Sequence, residues 1–179
     1  MKNIILGVTG SISAYKAADL ANTLTKEGNV VHVIMTKAGM EFLTPMTFQT
    51  LTKTKVHTYN MFENYVPSEV EHISLAQKAD IFVAAPASAD FIAKAAAGIA
   101  DDMLTTVLLA FQNKPVLIAP AMNTAMYENP ITQRNISTLK QFGFNFVEPR
   151  EAMLACGTVG KGALAENDVI LDAIRKLLA

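Results

Sequence analysis

The sequence has little of what marks secreted, membrane-bound or nucleic-acid-binding proteins. Its 179 residues include a single cysteine, which excludes an internal disulfide and predicts a reducing, cytoplasmic setting. With 15 basic and 16 acidic residues the net charge is −1, so no basic surface is expected to bind nucleic acid or an anionic membrane. No apolar run approaches the roughly 18 residues of a membrane span, and the first run is too short for a signal peptide.

Charged residues are also scarce, at 17%, whereas 51% of the chain is hydrophobic. This balance excludes intrinsic disorder, which requires low hydrophobicity and high net charge. The excess of apolar over charged residues predicts that other copies of the chain cover part of the surface. We therefore expect a homo-oligomer.

Short apolar runs alternate with helical patterns along the whole chain. Strands are predicted over residues 4–8, 30–35, 81–85, 116–119 and 144–147, and helices over residues 12–27, 88–97, 102–111, 131–142 and 168–178. Strands that are apolar throughout and separated by helices form a parallel sheet covered on both faces. The prediction is one α/β domain over residues 1–179, a doubly wound parallel sheet of the Rossmann or flavodoxin-like type, with irregular stretches over residues 53–70 and 149–165.

The loop after the first predicted strand is rich in glycine and hydroxyl groups. It reads Gly-Val-Thr-Gly-Ser-Ile-Ser over residues 7–13 and leads directly into a helix, whose free N–H groups bind anions. The G-x-G-x-x-G spacing of a dinucleotide site and the G-K-[ST] of a P-loop are both missing from it. The loop suits one terminal phosphate, as in FMN; the alternative is that its glycines serve only a tight turn.

Two further segments have polar residues directly after buried strands, which is where ligands bind in such sheets. Ser88 and Asp90 open the helix after the third strand, and Asn123 follows the fourth strand. Helix capping is the alternative for Ser88 and Asp90, and a turn position is the alternative for Asn123.

The histidines and the cysteine differ in how well they suit chemistry. His32 lies within a strand and is predicted to be structural, and His57 stands among lysines and is predicted to be solvated. His72 precedes the third strand after a long loop, which makes it the strongest acid/base candidate. Cys156 opens a glycine-rich segment, with a buried packing role as the alternative.

Several segments together resemble the homo-oligomeric flavin-containing cysteine decarboxylases. Residues 86–91 (P-A-S-A-D-F), 120–127 (P-A-M-N-T-A-M-Y) and 154–166 (L-A-C-G-T-V-G-K-G-A-L-A-E) are similar to the three signature segments of that family. Residues 70–73 resemble its histidine segment and residues 10–12 its FMN phosphate loop. This chain departs from the family pattern at Asp90 and Phe91, which stand for Asn-Thr, at Tyr127 for Trp and at Leu164 for Met.

The resemblance implies the cofactor and a set of site residues. FMN is expected to contact Gly10, Ser11, Ile12, Ser13, Thr36, Ser88, Ala89, Asp90 and Phe91. Catalysis is expected of His72, Asn123 and Cys156, and substrate contacts of Asn123, Met126, Ala155 and Gly157, with no metal. The family also implies a trimer or an assembly of trimers, with flavin sites between subunits.

The segment around Cys156 resembles family members that act on phosphopantothenoylcysteine in coenzyme A biosynthesis. The expected reaction oxidises the cysteine thiol to a thioaldehyde with FMN, releases CO₂, and reduces the resulting enethiol to phosphopantetheine. His72 is the expected acid/base, Asn123 binds the departing carboxylate, and Cys156 donates a proton. The alternatives are a related FMN-binding prenyltransferase and a non-catalytic regulatory flavoprotein. Since the chain ends at Ala179, a stand-alone enzyme without a ligase domain is expected.

Overall fold

The computed structural model describes residues 1–61, 70–153, 157 and 159–179. Within them the main sheet has five parallel strands in the order β2-β1-β3-β4-β5. These strands are β1 (Asn3–Val8), β2 (Val30–Met35), β3 (Ile81–Ala87), β4 (Val116–Pro120) and β5 (Asn145–Phe146). An antiparallel hairpin stands apart from this sheet and consists of β6 (Arg150–Met153) and β7 (Val159–Ala163).

Helices connect and cover these strands. They are α1 (Ala14–Lys26), α2 (Lys37–Met40), α3 (Pro45–Thr52), α4 (Glu71–Lys78), α5 (Ala89–Ala97), α6 (Met103–Ala110), α7 (Thr124–Glu128), α8 (Pro130–Gln141) and α9 (Asn167–Leu178). Helices α1, α3 and α9 pack on one face of the sheet, and α4, α5, α6 and α8 pack on the other.

The central strands are apolar on both faces because helices cover both. Successive residues of β1 enter opposite cores: Ile4 and Leu6 pack with α1 and α9, whereas Ile5 packs with α5 and α6. All seven residues of β3 are buried, so no alternation of polar and apolar residues is left in that strand. The predicted α/β class and the covered parallel sheet are confirmed.

The strand order determines where a ligand can bind. The chain passes from β1 to β2 on one side and then crosses to β3 on the other side of β1. Loops after β1 and β3 therefore run in opposite directions and leave a crevice at the carboxyl ends of these strands, as in flavodoxin-type sheets.

The predicted irregular stretch over residues 149–165 is wrong, because β6 and β7 lie within it. Three glycines in β7 and its approach hide the alternation that normally indicates a strand. The last helix begins one residue earlier than predicted, at Asn167, whose side-chain amide donates to the carbonyl of Lys16 at 3.0 Å.

Candidate active site

A cavity of about 520 Å³ lies at the carboxyl ends of β1, β3 and β4. Its wall is formed by loops after these strands, by the first turn of α1 and by the hairpin. The lining residues are Gly10, Ser11, Ile12, Ser13, Tyr15, Lys16, Phe42, Ser88, Ala89, Ala121, Met122, Asn123, Met126, Arg150, Ala152, Met153, Gly162, Ala163 and Leu164. Eight of the predicted site residues are among them: Gly10, Ser11, Ile12, Ser13, Ser88, Ala89, Asn123 and Met126.

The loop after β1 turns sharply into α1. The amide of Ala14 donates to the carbonyl of Ser11 at 2.9 Å, and the amide of Ser13 donates to the Ser11 hydroxyl at 3.2 Å. Gly10 permits this path, since a Cβ there would lie 2.6 Å from Cβ of Ala38. The loop therefore presents hydroxyl groups and the N-terminus of a 13-residue helix to the cavity.

Thr9, which the sequence reasoning did not single out, connects this loop with the end of β3. Its hydroxyl donates to the carbonyl of Pro86 at 2.8 Å and accepts from the amide of Ser88 at 2.8 Å. Ser88 in turn caps α5 by accepting from the amide of Phe91 at 3.2 Å. The N-termini of α1 and α5 consequently converge on one cavity, which suits a phosphate group.

Asn123 caps α7 at the end of β4. Its Oδ1 accepts from the amide of Ala125 at 2.9 Å, so Asn123 is the N-cap of a short helix and not only the turn residue of the alternative interpretation. The same bond fixes the orientation of the side-chain amide, whose nitrogen is a donor. Since Asn123 also lines the cavity, capping and ligand contact are compatible roles.

The hairpin packs closely against the segment that carries Asn123. The amide of Met122 donates to the carbonyl of Gly162 at 2.9 Å. A Cβ at Gly162 would lie 2.3 Å from the carbonyl oxygen of Met122, and a Cβ at Gly160 would lie 2.4 Å from Oγ1 of Thr124. Glycine at these positions is what allows the strand to approach.

An ion-pair network joins the hairpin to α7 and α8. Glu148 accepts from the Tyr127 hydroxyl at 2.9 Å, from Lys161 at 3.0 Å and from Lys140 at 3.2 Å. The hydrogen bond from Lys161 lowers the pKa of Glu148 to about 2, and burial together with Glu148 raises the pKa of Tyr127 to about 12. The base of the hairpin is thus held beside the helix that follows Asn123.

Two cations, Lys16 and Arg150, also line the cavity. Nζ of Lys16 lies 2.9 Å from Glu166, and Nε of Arg150 lies 3.0 Å from the other carboxylate oxygen of Glu166. The hydrogen bond from Lys16 lowers the pKa of the Glu166 carboxyl group. Neither cation was expected from the sequence. Arg150 falls in the stretch that was predicted to be irregular, and Lys16 pairs with a residue 150 positions away.

Four predicted site residues lie away from this cavity. Thr36 caps α2 by accepting from the amide of Gly39 at 3.1 Å. Phe91 is buried in the core beside Phe82, and Asp90 is exposed and lies 3.5 Å from Lys94. His72 is half-buried on α4.

The remaining predictions concern the glycine-rich segment. Ala155 and Cys156 lie outside the residues that the structure describes. Gly157 is exposed, with φ of +81°, and is not among the lining residues of the cavity.

His57 is buried, with 7% of its surface exposed, so the prediction that it is solvated is wrong. Its backbone pairs with β2: the amide of His57 donates to the carbonyl of Val33, and its carbonyl accepts from the amide of Met35, at 2.8 Å each. Nδ1 lies 3.2 Å from Oε1 of Glu71, without the alignment of a hydrogen bond. Burial lowers the pKa of His57 to about 4.

Residues 1–61, 70–153, 157 and 159–179 contain no cluster of three side chains that could hold a metal ion. Among the same residues, no helix combines the length and apolar character needed to cross a membrane.

The amino-acid sequence is similar to those of known proteins over almost its whole length. The Flavoprotein family matches residues 1–179. The chain is 50% identical to a probable phosphopantothenoylcysteine decarboxylase of Streptococcus mutans serotype c, over 99% of both chains. It is 48% identical to the coenzyme A biosynthesis bifunctional protein CoaBC of Bacillus subtilis, covering 99% of this chain but only 43% of that relative.

Solved structures with the same fold carry related names. A PPC decarboxylase mutant complexed with pantothenoylaminoethenethiol matches with a TM-score of 0.87 and 32% identity, over 98% of this chain and 97% of the other. The FMN-dependent cysteine decarboxylase SpaF matches with a TM-score of 0.86 and 32% identity, over 99% and 95%. The chain belongs to the Flavoprotein family, alongside the phosphopantothenoylcysteine decarboxylases.

Proposed function

We propose that the protein is an FMN-dependent decarboxylase that converts phosphopantothenoylcysteine to phosphopantetheine in coenzyme A biosynthesis. The cavity carries this proposal, because a phosphate-type loop, the amide of Asn123 and the hairpin that flanks Cys156 meet there. The relatives support it, since chains that match this one almost from end to end bear the name of the same reaction.

The cavity fits FMN. Ser11, Ser13 and Ser88 stand at the N-termini of two helices and are the residues that hold the phosphate. Large apolar side chains at the cavity remain exposed, including Ile12 at 61% and Met126 at 50%, and they suit a flat aromatic ring system. FMN supplies a two-electron oxidant for the substrate thiol and later returns the electron pair.

Asn123 binds the carboxylate of the substrate. Its capping bond to Ala125 directs Oδ1 toward the helix, so the amide nitrogen is the part of the side chain that donates to the carboxylate. A neutral donor holds the carboxylate without adding a positive charge that would stabilise it against departure. Once the thiol has become a thioaldehyde, the C=S group accepts the electrons that CO₂ leaves behind.

His72 and Cys156 handle protons. The imidazole of His72 can both accept and return a proton, which suits it to general acid/base catalysis. Cys156 donates the proton that the enethiol needs at the carbon that lost CO₂. The proposal also includes the contacts that the family resemblance implies. FMN is contacted by Thr36, Asp90 and Phe91, and the substrate by Ala155 and Gly157.

A neighbouring subunit supplies His72 to the cavity, and the protein is a trimer or an assembly of trimers. Two observations support this arrangement. His72 does not line the cavity of its own chain among the described residues. Val70 and Ile73, its neighbours on α4, are 59% and 38% exposed, which suits a surface that another subunit covers.

The protein acts in the cytoplasm as one catalytic domain over residues 1–179. The reducing cytoplasm keeps the single cysteine as a free thiol, which proton donation by Cys156 requires.

The direct test incubates FMN-loaded protein with phosphopantothenoylcysteine and follows the reaction by mass spectrometry. We expect loss of CO₂ and formation of phosphopantetheine. Tightly bound FMN without turnover would overturn the enzymatic proposal in favour of a regulatory flavoprotein. In a parallel incubation of the reduced flavoprotein with dimethylallyl phosphate, transfer of the dimethylallyl group to the flavin with release of phosphate would favour the prenyltransferase.

The shared site is tested by mixing two inactive variants. His72→Asn and Asn123→Ala subunits are unfolded, mixed and refolded together. If the site lies between subunits, about a quarter of the sites in a random mixture combine both intact residues, and activity returns. If each site belongs to one chain, the mixture stays inactive.

A further inference from the structure

Lys16 and Arg150 line the cavity, and the proposed chemistry uses neither of them. Lys16 is in the first turn of α1, and Arg150 begins β6 of the hairpin. Glu166 lies between them, 2.9 Å from Lys16 and 3.0 Å from Arg150. Two elements that are distant in sequence thus bring two cations to one exposed carboxylate.

The cavity is strongly asymmetric in charge. Among its lining residues in the described part of the chain, Lys16 and Arg150 are the only charged ones. Glu166 offsets one of these two positive charges, and its side chain is 57% exposed. A net positive charge remains beside a cavity of about 520 Å³, which favours an anionic ligand.

The proposed function requires two phosphate groups in or near this cavity, one on FMN and one on the substrate. The loop at Ser11 and the cap at Ser88 offer uncharged donors at two helix N-termini, which suffice for one phosphate. Arg150 lies instead on the hairpin, on the same wall as Ala152 and Gly162. That wall packs against Met122 beside Asn123, which binds the substrate in the proposed reaction.

We propose that Lys16 and Arg150 form the subsite for the phosphate group of the substrate, an inference that rests on the proposed function. The arginine fork bonds two phosphate oxygens, and the lysine ammonium group adds a point charge. Glu166 holds both cations in position in the free protein, and the incoming phosphate replaces its carboxylate oxygens. This subsite selects phosphorylated acyl-cysteines over other molecules that end in cysteine.

The test compares two ligand pairs that differ only in phosphate. Binding of phosphopantetheine and of pantetheine to FMN-loaded protein is measured by calorimetry, and turnover is measured with phosphopantothenoylcysteine and pantothenoylcysteine. In Arg150→Gln we expect affinity and kcat/KM for the phosphorylated ligands to fall by about 10- to 100-fold, with little change for the others. Lys16→Gln should act in the same direction, and FMN content should stay constant in both variants.

Arg175→Gln is the matched control, since Arg175 is paired with Glu27 and Asp172 and does not line the cavity. Equal losses for phosphorylated and unphosphorylated ligands would overturn the subsite, and so would loss of FMN, which would assign the cations to the cofactor. Because binding is measured separately from turnover, an intact phosphate preference without CO₂ release would sustain the subsite while the proposed reaction fails.

Discussion

At the scale of single residues, Asn123 has an observed structural role and a chemical role in the proposed reaction. Its Oδ1 caps α7, and its amide nitrogen is the donor assigned to the substrate carboxylate. Aspartate caps a helix as well as asparagine does, so one substitution can separate the two tasks.

In Asn123→Asp we expect an unchanged fold and FMN content but a loss of about 100-fold in kcat/KM, because a donor becomes an anion that repels the carboxylate. Steady-state kinetics and flavin absorbance measure both. Asn129→Asp is the control, since Asn129 caps α8 by accepting from Ile131 at 2.9 Å and does not line the cavity. Near-normal turnover of Asn123→Asp would return Asn123 to a purely capping role.

His57 shows how burial lowers the pKa of a histidine whose sequence neighbours are charged. Burial lowers its pKa to about 4, so the folded protein keeps the imidazole neutral where the unfolded chain, with a pKa of 6.5, binds a proton. Between these two values the unfolded state holds more protons than the folded state, and the free energy of unfolding must fall as the pH falls.

We therefore expect wild-type protein to lose stability as the pH decreases from about 6.5 to about 4, and His57→Gln to lose less over the same interval. Urea denaturation at several pH values measures the difference. His72→Gln, in which a half-buried histidine is removed, controls for loss of any histidine. Parallel curves for wild type and His57→Gln would contradict this explanation.

At the scale of elements, the position of the hairpin depends on a close contact between β7 and α7. Thr124 lies against Gly160 so tightly that a Cβ on the glycine would be 2.4 Å from the threonine hydroxyl. Glu148 reinforces the contact by accepting hydrogen bonds from Tyr127 and Lys161. The hairpin cannot shift without moving the segment that carries Asn123.

Gly160→Ala should therefore displace β7, destabilise the protein by about 1–3 kcal/mol and reduce kcat/KM. Removing the obstructing atoms in the double variant Gly160→Ala/Thr124→Ala should restore part of both losses. Chemical denaturation and kinetics of the single and double variants give the coupling energy. Strictly additive changes in stability and kcat/KM would mean that the two residues have no steric interaction.

At the scale of the whole molecule, the cavity draws on loops after three strands, one helix and a hairpin. A ligand that contacts all of them binds only the folded state, so it must stabilise the fold. In the proposed site, the two helix N-termini bind the phosphate group of FMN.

Removal of FMN should lower Tm by about 5–10 °C relative to protein that is held at an FMN concentration of about 100 times Kd. Riboflavin, which lacks the phosphate, should restore less than half of that shift, and FAD should do no better than riboflavin. Differential scanning calorimetry of the stripped protein with each flavin measures the series. Equal shifts for FMN and riboflavin would show that the phosphate contributes no binding energy.

Much of the fold could be predicted because it depends on local pattern. The residues of β2, predicted as 30–35, match the observed strand, and the bounds of α1, α5 and α8 differ from prediction by no more than two residues. Apolar runs of strand length and helical periodicity are properties of neighbouring residues, which is why they survive without knowledge of the tertiary structure. The short helices α2 and α7 have too few residues for a period to emerge.

The residues at the cavity also fall into two groups, those that a local pattern could identify and those that it could not. Ser11, Ser88 and Asn123 could be identified from sequence because each follows a strand directly, and the carboxyl ends of parallel strands share one edge of the sheet. Thr9 gave no signal, since its role depends on Pro86, which is 77 residues further along the chain. The charge partnership of Lys16 with Glu166, across 150 residues, is equally invisible to any local pattern.

The order and type of the main elements, the strand-end loops and the polar groups on them could thus be predicted from the chain alone, because they follow from periodicity and connectivity. The burial of His57, the approach of Arg150 to the cavity and the position of His72 outside the cavity of its own chain emerge only when the elements pack together. Each of these facts depends on which faces of distant elements meet, and packing of the whole chain determines that.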